Sequence, residues 1–177
     1  EVSRLLVDYA LQGGHIVRLK SGDGGLFGRL EEDLIAMREA GIDYEIIPGV
    51  PSPFAAAAAA AIPLTRRLTA RRIQFVTGHD VNGQLPADVN LPALADPTAT
   101  TVVFMGKRTF SQLQKQLQQP GLPPDTPALL AEAVSTPQET LQRTTIGALA
   151  EQLETEISAS PALILYGPLA EGTPHDD

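Results

Sequence analysis

The chain has 177 residues, no cysteine, 13 basic against 21 acidic side chains and a formal net charge of −8. Without cysteine it forms no disulfide, thiolate metal site or cysteine nucleophile, and the acidic balance disfavours a general nucleic-acid binder or a polybasic membrane-surface protein. Residues 1–116 are neutral, so the net charge lies in residues 117–177, where Arg143 is the single basic residue. The longest apolar run, Phe54–Ile62, is too short to span a bilayer.

The first part of the chain alternates predicted helices and strands. Helical spacing of apolar residues and glycine stops define the helices, and β-branched residues define the strands. The predicted elements are a helix over residues 2–10, a strand over 15–20, a helix over 31–40 and a strand over 44–47. This order is typical of an α/β sheet with parallel strands. Pro48–Pro53 is the expected boundary with a second α/β unit, so the predicted domains are 1–50 and 51–172.

The second part begins with Ser52 as a predicted helix N-cap and Pro53 as the first helical residue. Seven alanines follow, and they indicate either a helix packed tightly on a sheet or a close approach of a ligand. Residues 78–97 read mostly as loop, and residues 173–177 as a disordered tail. The remaining predicted elements are strands over 72–77, 100–105, 141–146 and 162–166, a strand or buried segment over 128–134, and helices over 110–118 and 146–157.

The Gly-rich segment SGDGGLFG lies between a predicted strand and a helix. Ligands of open α/β sheets bind at the carboxyl ends of strands, and a Gly-rich turn there presents backbone N–H groups. Asp23 could accept hydrogen bonds from an ammonium or hydroxyl group of such a ligand. The segment is neither a P-loop nor a G-x-G-x-x-G fingerprint, so a plain tight turn is the competing interpretation.

Three other predicted strands also end in small or polar residues, in PGVPS, MGKR and AVST. Met105 would either contact an aromatic ligand or simply fill the core. The segment TRRLTARR carries Arg66, Arg67, Arg71 and Arg72 with no acidic residue nearby in sequence. It indicates an anionic small molecule or a solvated turn.

Classical catalytic and metal-binding patterns are not found in the sequence. His15, His79 and His175 are isolated and lack metal-ligand spacing. Neither G-x-S-x-G nor H-E-x-x-H occurs. A reaction that depends on positioning two substrates therefore fits better than hydrolysis.

Six motifs in order resemble the uroporphyrinogen III C-methyltransferase family, whose module also forms the methylating half of siroheme synthase. They are VRLKSGDGGLFGR, YEIIPGVPSPFAAAAAAAIPLTRR, FVTGHD, VVFMG, TIGAL and PALILYG. The resemblance implies methyl transfer from S-adenosylmethionine (SAM) to C2 and C7 of uroporphyrinogen III, giving precorrin-2 for siroheme and cobalamin. It also implies two αβα domains with SAM in the cleft between them, no metal, and a cytoplasmic homodimer that binds a tetrapyrrole, not nucleic acid or a membrane.

The family's SAM loop falls on Ser21, Gly22 and Asp23, with Leu26 as an apolar SAM contact. Ser21 replaces the family's glycine and Pro51 replaces its threonine, which removes a hydroxyl and a backbone donor. The other implied SAM contacts are Ser52, Met105 and a position near Ala133 or Val134. Tetrapyrrole carboxylates imply cationic contacts, for which Arg29, Arg66 and Arg67 are the candidates.

The family begins with a strand, a G-A-G-P-G-D-type loop and a segment that supplies proposed acid–base residues, none of which occurs in this sequence. We therefore expect the first domain to be only partly present, the catalytic residues to precede Glu1, and this fragment alone to be inactive. Two alternatives stay open. One is a methylase of a later corrinoid such as precorrin-4, and the other is a non-catalytic remnant that keeps the fold.

Overall fold

The computed structural model describes residues 2–156 and 158–171. The chain divides into two compact units, Glu1–Ser52 and Pro53–Asp177. That these units are the domains predicted over 1–50 and 51–172 stays a prediction. The predicted disordered tail, 173–177, lies outside the described residues.

The first unit contains the two predicted helices, α1 over Val2–Ala10 and α2 over Leu30–Glu39. The strands predicted over 15–20 and 44–47 are wrong, because the residues of both segments lie outside any strand. A strand exists only when a neighbour completes its hydrogen-bond ladder, and β-branched composition cannot supply that neighbour. The side chains of Val17 and Ile47 are correspondingly exposed, at 68% and 74%.

The second unit is built around a five-stranded mixed sheet, in the order β1-β2-β5-β3-β4. Strands β1 and β2 are parallel neighbours, whereas β5 runs antiparallel to both β2 and β3, and β4 runs antiparallel to β3. The chain between β3 and β4 is too short for the crossover that a parallel pair needs. The strands are β1 Arg72–Thr77, β2 Ala99–Phe104, β3 Pro127–Glu132, β4 Thr140–Thr145 and β5 Ala162–Tyr166.

Helices cover both faces of this sheet. The alanine-rich helix α3, Ser52–Ala59, lies on one face, and its buried Ala56 and Ala57 belong to the same core cluster as Leu163 and Leu165 of β5. Helices α5, Phe110–Leu117, and α6, Ile146–Thr155, lie on the other face with Ile164. The alternation along β5 follows from the two-residue period of a strand. The prediction of a tightly packed alanine helix is confirmed.

One helix was not predicted. Residues 78–97 contain the short helix α4, Leu91–Leu94, whose first turn has a capping bond from the Ala93 N–H to the Asn90 side chain. The buried Tyr166 hydroxyl donates to the carbonyl of Leu94 at 2.9 Å and fixes α4 to the end of β5.

Candidate functional site

The Gly-rich loop of the first unit is ordered by the carboxylate of Asp23. The backbone N–H groups of Gly25 and Gly49 donate to its two oxygens, each at 2.8 Å. These bonds, from Gly49 first and Gly25 second, hold the pKa of Asp23 below its ordinary value. Asp23 is therefore an anion at neutral pH, and it connects the loop to Gly49, which is 26 residues further along the chain.

The two segments touch so closely that only glycine fits at the contact. A Cβ atom on Gly49 would lie 2.0 Å from the carbonyl oxygen of Gly22. A Cβ atom on Gly22, which has φ of 69°, would lie 3.5 Å from the N–H nitrogen of Ser52 and 3.7 Å from Cα of Pro51. The structure thus brings together four predicted SAM contacts, Gly22, Asp23, Pro51 and Ser52.

A second set of polar contacts, made by Lys20, holds the other end of the loop. The Lys20 ammonium donates to the Gly28 carbonyl at 2.8 Å and pairs with the buried carboxylate of Asp33 in α2 at 2.7 Å. Ser3 of α1 donates to the other oxygen of Asp33 at 2.8 Å. Within the same loop, the side chain of Ser21 is exposed and that of Leu26 is half-buried.

In the second unit, the carboxyl ends of β1, β2 and β3 lie at one edge of the sheet, because these three strands run in the same direction. The residues that follow β2 and β3 have left-handed backbone: φ is 53° at Met105, 47° at Ala133 and 65° at Ser135. Such conformations are costly for side chains other than glycine and concentrate at functional sites. Met105 is 46% exposed, so it is not the core methionine of the competing interpretation. Val134 is half-buried beside the core.

Two glycines hold the ends of β1 and β2 together at this edge. A Cβ atom on Gly78 would lie 2.4 Å from Cα of Gly106. The Gly78 N–H donates to the Phe104 carbonyl at 2.6 Å, and the buried Thr109 hydroxyl donates to the carbonyls of both glycines. Met105 is therefore presented by a rigid turn.

A cationic clamp at the same edge was not predicted from the sequence. The Lys107 ammonium has four oxygen partners: Glu132 Oε1 at 2.8 Å, the Ser158 carbonyl at 2.8 Å, Ser158 Oγ at 2.7 Å and the Ser160 carbonyl at 2.6 Å. Burial raises the pKa of Glu132, but hydrogen bonds from Lys107 and Ser158 and the charge of Lys107 outweigh it, so the pKa lies below its ordinary value.

The predicted arginine candidates differ in their surroundings. Arg29 forms a bidentate ion pair with Glu32, at 2.6 and 2.7 Å. Arg72 pairs with Asp96, which lies 24 residues further along the chain. Sequence distance hid this pair, which forms because β1 and β2 are adjacent. Arg66 and Arg67 lie in a turn closed by two backbone bonds between Arg66 and Ala70, and neither has an ion pair among the described residues.

Residues 1–150 match the sequence model of the family Tetrapyrrole (Corrin/Porphyrin) Methylases. The chain belongs to this family. It is 41% identical to siroheme synthase 1 of Aeromonas hydrophila over 94% of this chain and 35% of that protein. The structure is similar to uroporphyrin-III C-methyltransferase of Thermus thermophilus complexed with S-adenosylhomocysteine (SAH), with 34% identity, a TM-score of 0.78 and coverage of 94% of this chain and 71% of that chain.

A third likeness is to cobalt precorrin-4 methyltransferase, with 29% identity, a TM-score of 0.82 and coverage of 94% of this chain and 70% of that chain. The chain spans about a third to a half of the length of curated relatives such as siroheme synthase 1 of Aeromonas hydrophila. Within the part of the chain that the structure describes, no helix has the length and apolar character needed to cross a membrane.

Proposed function

We propose that this tetrapyrrole methylase transfers methyl groups from SAM to C2 and C7 of uroporphyrinogen III, giving precorrin-2 for siroheme and cobalamin synthesis. The observation that carries the proposal is the family match over residues 1–150. The similarity to an SAH-bound uroporphyrin-III C-methyltransferase supports SAM as the donor and uroporphyrinogen III as the acceptor. We further propose that the protein acts as a cytoplasmic homodimer and needs no metal.

The residues of the first unit fit part of SAM chemically. Asp23 carries a negative charge at neutral pH and suits the cationic ammonium or sulfonium of SAM. The half-buried Leu26 offers an apolar surface beside it. In this unit we assign to SAM the residues Ser21, Gly22, Asp23, Leu26, Pro51 and Ser52.

In the second unit we assign Met105 and Val134 to SAM. Met105 is half-exposed in a rigid turn, and its polarizable thioether suits an aromatic ring such as adenine. Bound SAM supplies the activated methyl group. The protein holds that group and the pyrrole carbon in line, and such positioning can lower a barrier by about 7–11 kcal/mol.

Uroporphyrinogen III is an octacarboxylate, so its binding requires cationic side chains. We assign Arg66 and Arg67 to this role, because both lie in a braced turn without a carboxylate partner among the described residues. Arg29 is a weaker candidate, since Glu32 already neutralises it. Replacing Arg66 and Arg67 together with Ala should raise the KM for the tetrapyrrole, whereas replacing Arg4 and Arg38 should not. An unchanged KM would remove Arg66 and Arg67 from the site.

Two other functions have some support. A methylase of a later corrinoid, such as precorrin-4, is favoured by the similarity to cobalt precorrin-4 methyltransferase. A non-catalytic remnant is favoured by Pro51 and Ser21, which depart from the family's SAM motif. Parallel assays with uroporphyrinogen III and precorrin-4 separate the first alternative from the proposal.

Calorimetric titration of SAM and SAH into the full-length protein tests the proposal against the remnant. We expect saturable binding of both ligands at micromolar concentration, as is usual for an enzyme substrate. No heat of binding at millimolar ligand would support the remnant and contradict the proposal.

A further inference from the structure

The clamp formed by Lys107 joins the ends of β2 and β3, two strands that do not pair with each other in the sheet. In the sheet, β5 lies between β2 and β3, which places β2 and β3 roughly 10 Å apart, at two strand spacings. Lys107 follows β2, and Glu132 is the last residue of β3. Their ion pair of 2.8 Å crosses the start of β5 and bridges this gap.

The clamp also fastens the chain that enters β5. Ser158 and Ser160 precede β5, and the Lys107 ammonium donates to both of their carbonyl oxygens and to the Ser158 hydroxyl. The Ser158 hydroxyl also bonds to Glu132. Three segments therefore meet at one ammonium group, whose side chain is only 12% exposed, beside a carboxylate side chain that is 18% exposed.

Both strand ends that the clamp joins carry costly backbone geometry. Met105, two residues before Lys107, has φ of 53°, and Ala133, directly after Glu132, has φ of 47°. Left-handed residues of this kind persist where the surrounding structure over-determines them. The Ala133 N–H also donates to the Pro161 carbonyl at 2.9 Å, so the same entry to β5 supports the second strand end.

We propose that Lys107 is a positioning residue for SAM, setting the distance and orientation of the strand ends that present Met105 and Val134. This inference rests on the proposed function, because it gives Lys107 a role in the same SAM site. Lys107 acts through those strand ends and does not touch the ligand. Its loss leaves Glu132 without its cationic partner in a largely buried position and removes the attachment of the turn after β2 to the end of β3.

The chain contains a matched control for this clamp. Lys115 of α5 pairs with Glu154 of α6 at 2.7 Å, and Ser111 donates to the same carboxylate oxygen. This group has the same three residue types as the clamp, but its side chains are well exposed, at 68% for Lys115 and 48% for Glu154. It joins α5 to α6.

The test measures SAH affinity by calorimetry in Lys107→Met and Lys115→Met variants of the full-length protein. We expect Lys107→Met to raise the Kd for SAH by about tenfold to a hundredfold, as a small misplacement of a binding group does. We expect Lys115→Met to leave the Kd unchanged, and Lys107→Arg to restore most of the affinity. The KM for SAM should rise in Lys107→Met, while the KM for the tetrapyrrole stays at the wild-type value.

A Kd for SAH within twofold of the wild type in folded Lys107→Met would overturn the inference, as would an equal rise in Lys115→Met. Where Lys107→Met does not fold, Glu132→Gln decides, because it keeps the oxygen acceptor and removes only the charge. Unchanged SAH affinity in Glu132→Gln would then overturn the inference. A wild-type protein that binds no SAH would instead contradict the proposed function, and the inference would fall with it.

Discussion

The carboxylate of Asp23 accepts a hydrogen bond of 2.8 Å from the backbone N–H of Gly49 and so ties the Gly-rich loop to the segment before α3. The other carboxylate oxygen accepts from Gly25, also at 2.8 Å. One side chain thus fixes the shape of the loop and supplies a negative charge in it.

The first prediction concerns this carboxylate. Asp23→Asn removes the charge and turns an amide NH2 group toward one of the two backbone donors, so one bond is lost. We expect the Kd for SAH to rise about tenfold or more. Asp80→Asn is the matched control, because Asp80 also accepts from two backbone N–H groups, those of Asn82 and Gln84. Equal SAH affinity in Asp23→Asn and wild type would show that the loop does not bind the ligand.

The second prediction concerns the contact between Gly49 and Gly22. Gly49→Ala places a methyl group 2.0 Å from the Gly22 carbonyl oxygen, and such overpacking should lower the free energy of unfolding by about 2 kcal/mol or more. Gly41 has φ of 65° but an added Cβ meets no atom within 4 Å. Gly41→Ala should therefore cost only the left-handed backbone penalty of about 1 kcal/mol. Urea unfolding of both variants measures the difference, and a smaller loss for Gly49→Ala would contradict the close contact.

The third prediction concerns Arg143, the single basic residue of the last 61. Its guanidinium donates to the Ala60 carbonyl at 2.6 Å, just after the end of α3, and to the Ala170 carbonyl at 3.2 Å. Carbonyls at a helix C-terminus lack intrahelical partners and favour a cation. Arg143→Met should lower the free energy of unfolding by about 1 kcal/mol, measured by urea unfolding. Arg71→Met, at an exposed position, should leave it unchanged, and equal losses would remove this capping role.

The fourth prediction concerns the pH dependence of stability at Asp33. Burial raises the pKa of Asp33, but hydrogen bonds from Lys20 and Ser3 and the charges of Lys20 and Arg18 outweigh it, so the folded pKa lies below its ordinary value. A carboxyl whose pKa is lowered on folding binds more protons when unfolded. Its contribution is therefore complete above the unfolded pKa and is lost as pH falls through the folded pKa.

The stability difference between wild type and Asp33→Asn measures this contribution. We expect the difference in free energy of unfolding to be constant from pH 7 to about 5 and to shrink below the unfolded pKa of Asp of about 3.9. A difference that grows as the pH falls would have the wrong sign and would contradict the Lys20–Asp33 ion pair.

The strands of the second unit could be predicted from the sequence because their signals are local. The run RIQFVT alternates apolar and polar residues, and ALILY is continuously apolar, so the bounds Arg72–Thr77 and Ala162–Tyr166 were predicted without error. The two strands predicted in the first unit are wrong, because a strand depends on ladder partners that its own residues do not specify. The segments around Val17 and Ile47 have the composition of a strand, but they form no hydrogen-bond ladder with a neighbouring strand.

The candidate site was predicted in part for the same reason. Glycines at the end of a predicted strand indicate a loop, so Gly22 and Asp23 could be predicted as site residues from the sequence. The partner of Asp23 could not, since Gly49 is 26 residues away. The Lys107 clamp is harder to predict from the sequence. It depends on the strand order of the sheet, in which β5 lies between β2 and β3 and Lys107 and Glu132 lie at one edge.

The most direct test of the proposed methyl transfer is a count of the methyl groups that the full-length protein transfers from isotope-labelled SAM to uroporphyrinogen III, read from the mass of the tetrapyrrole product. We expect two labelled methyl groups per tetrapyrrole and the mass of precorrin-2. A product without label, or label transferred to precorrin-4 but not to uroporphyrinogen III, would contradict the proposal.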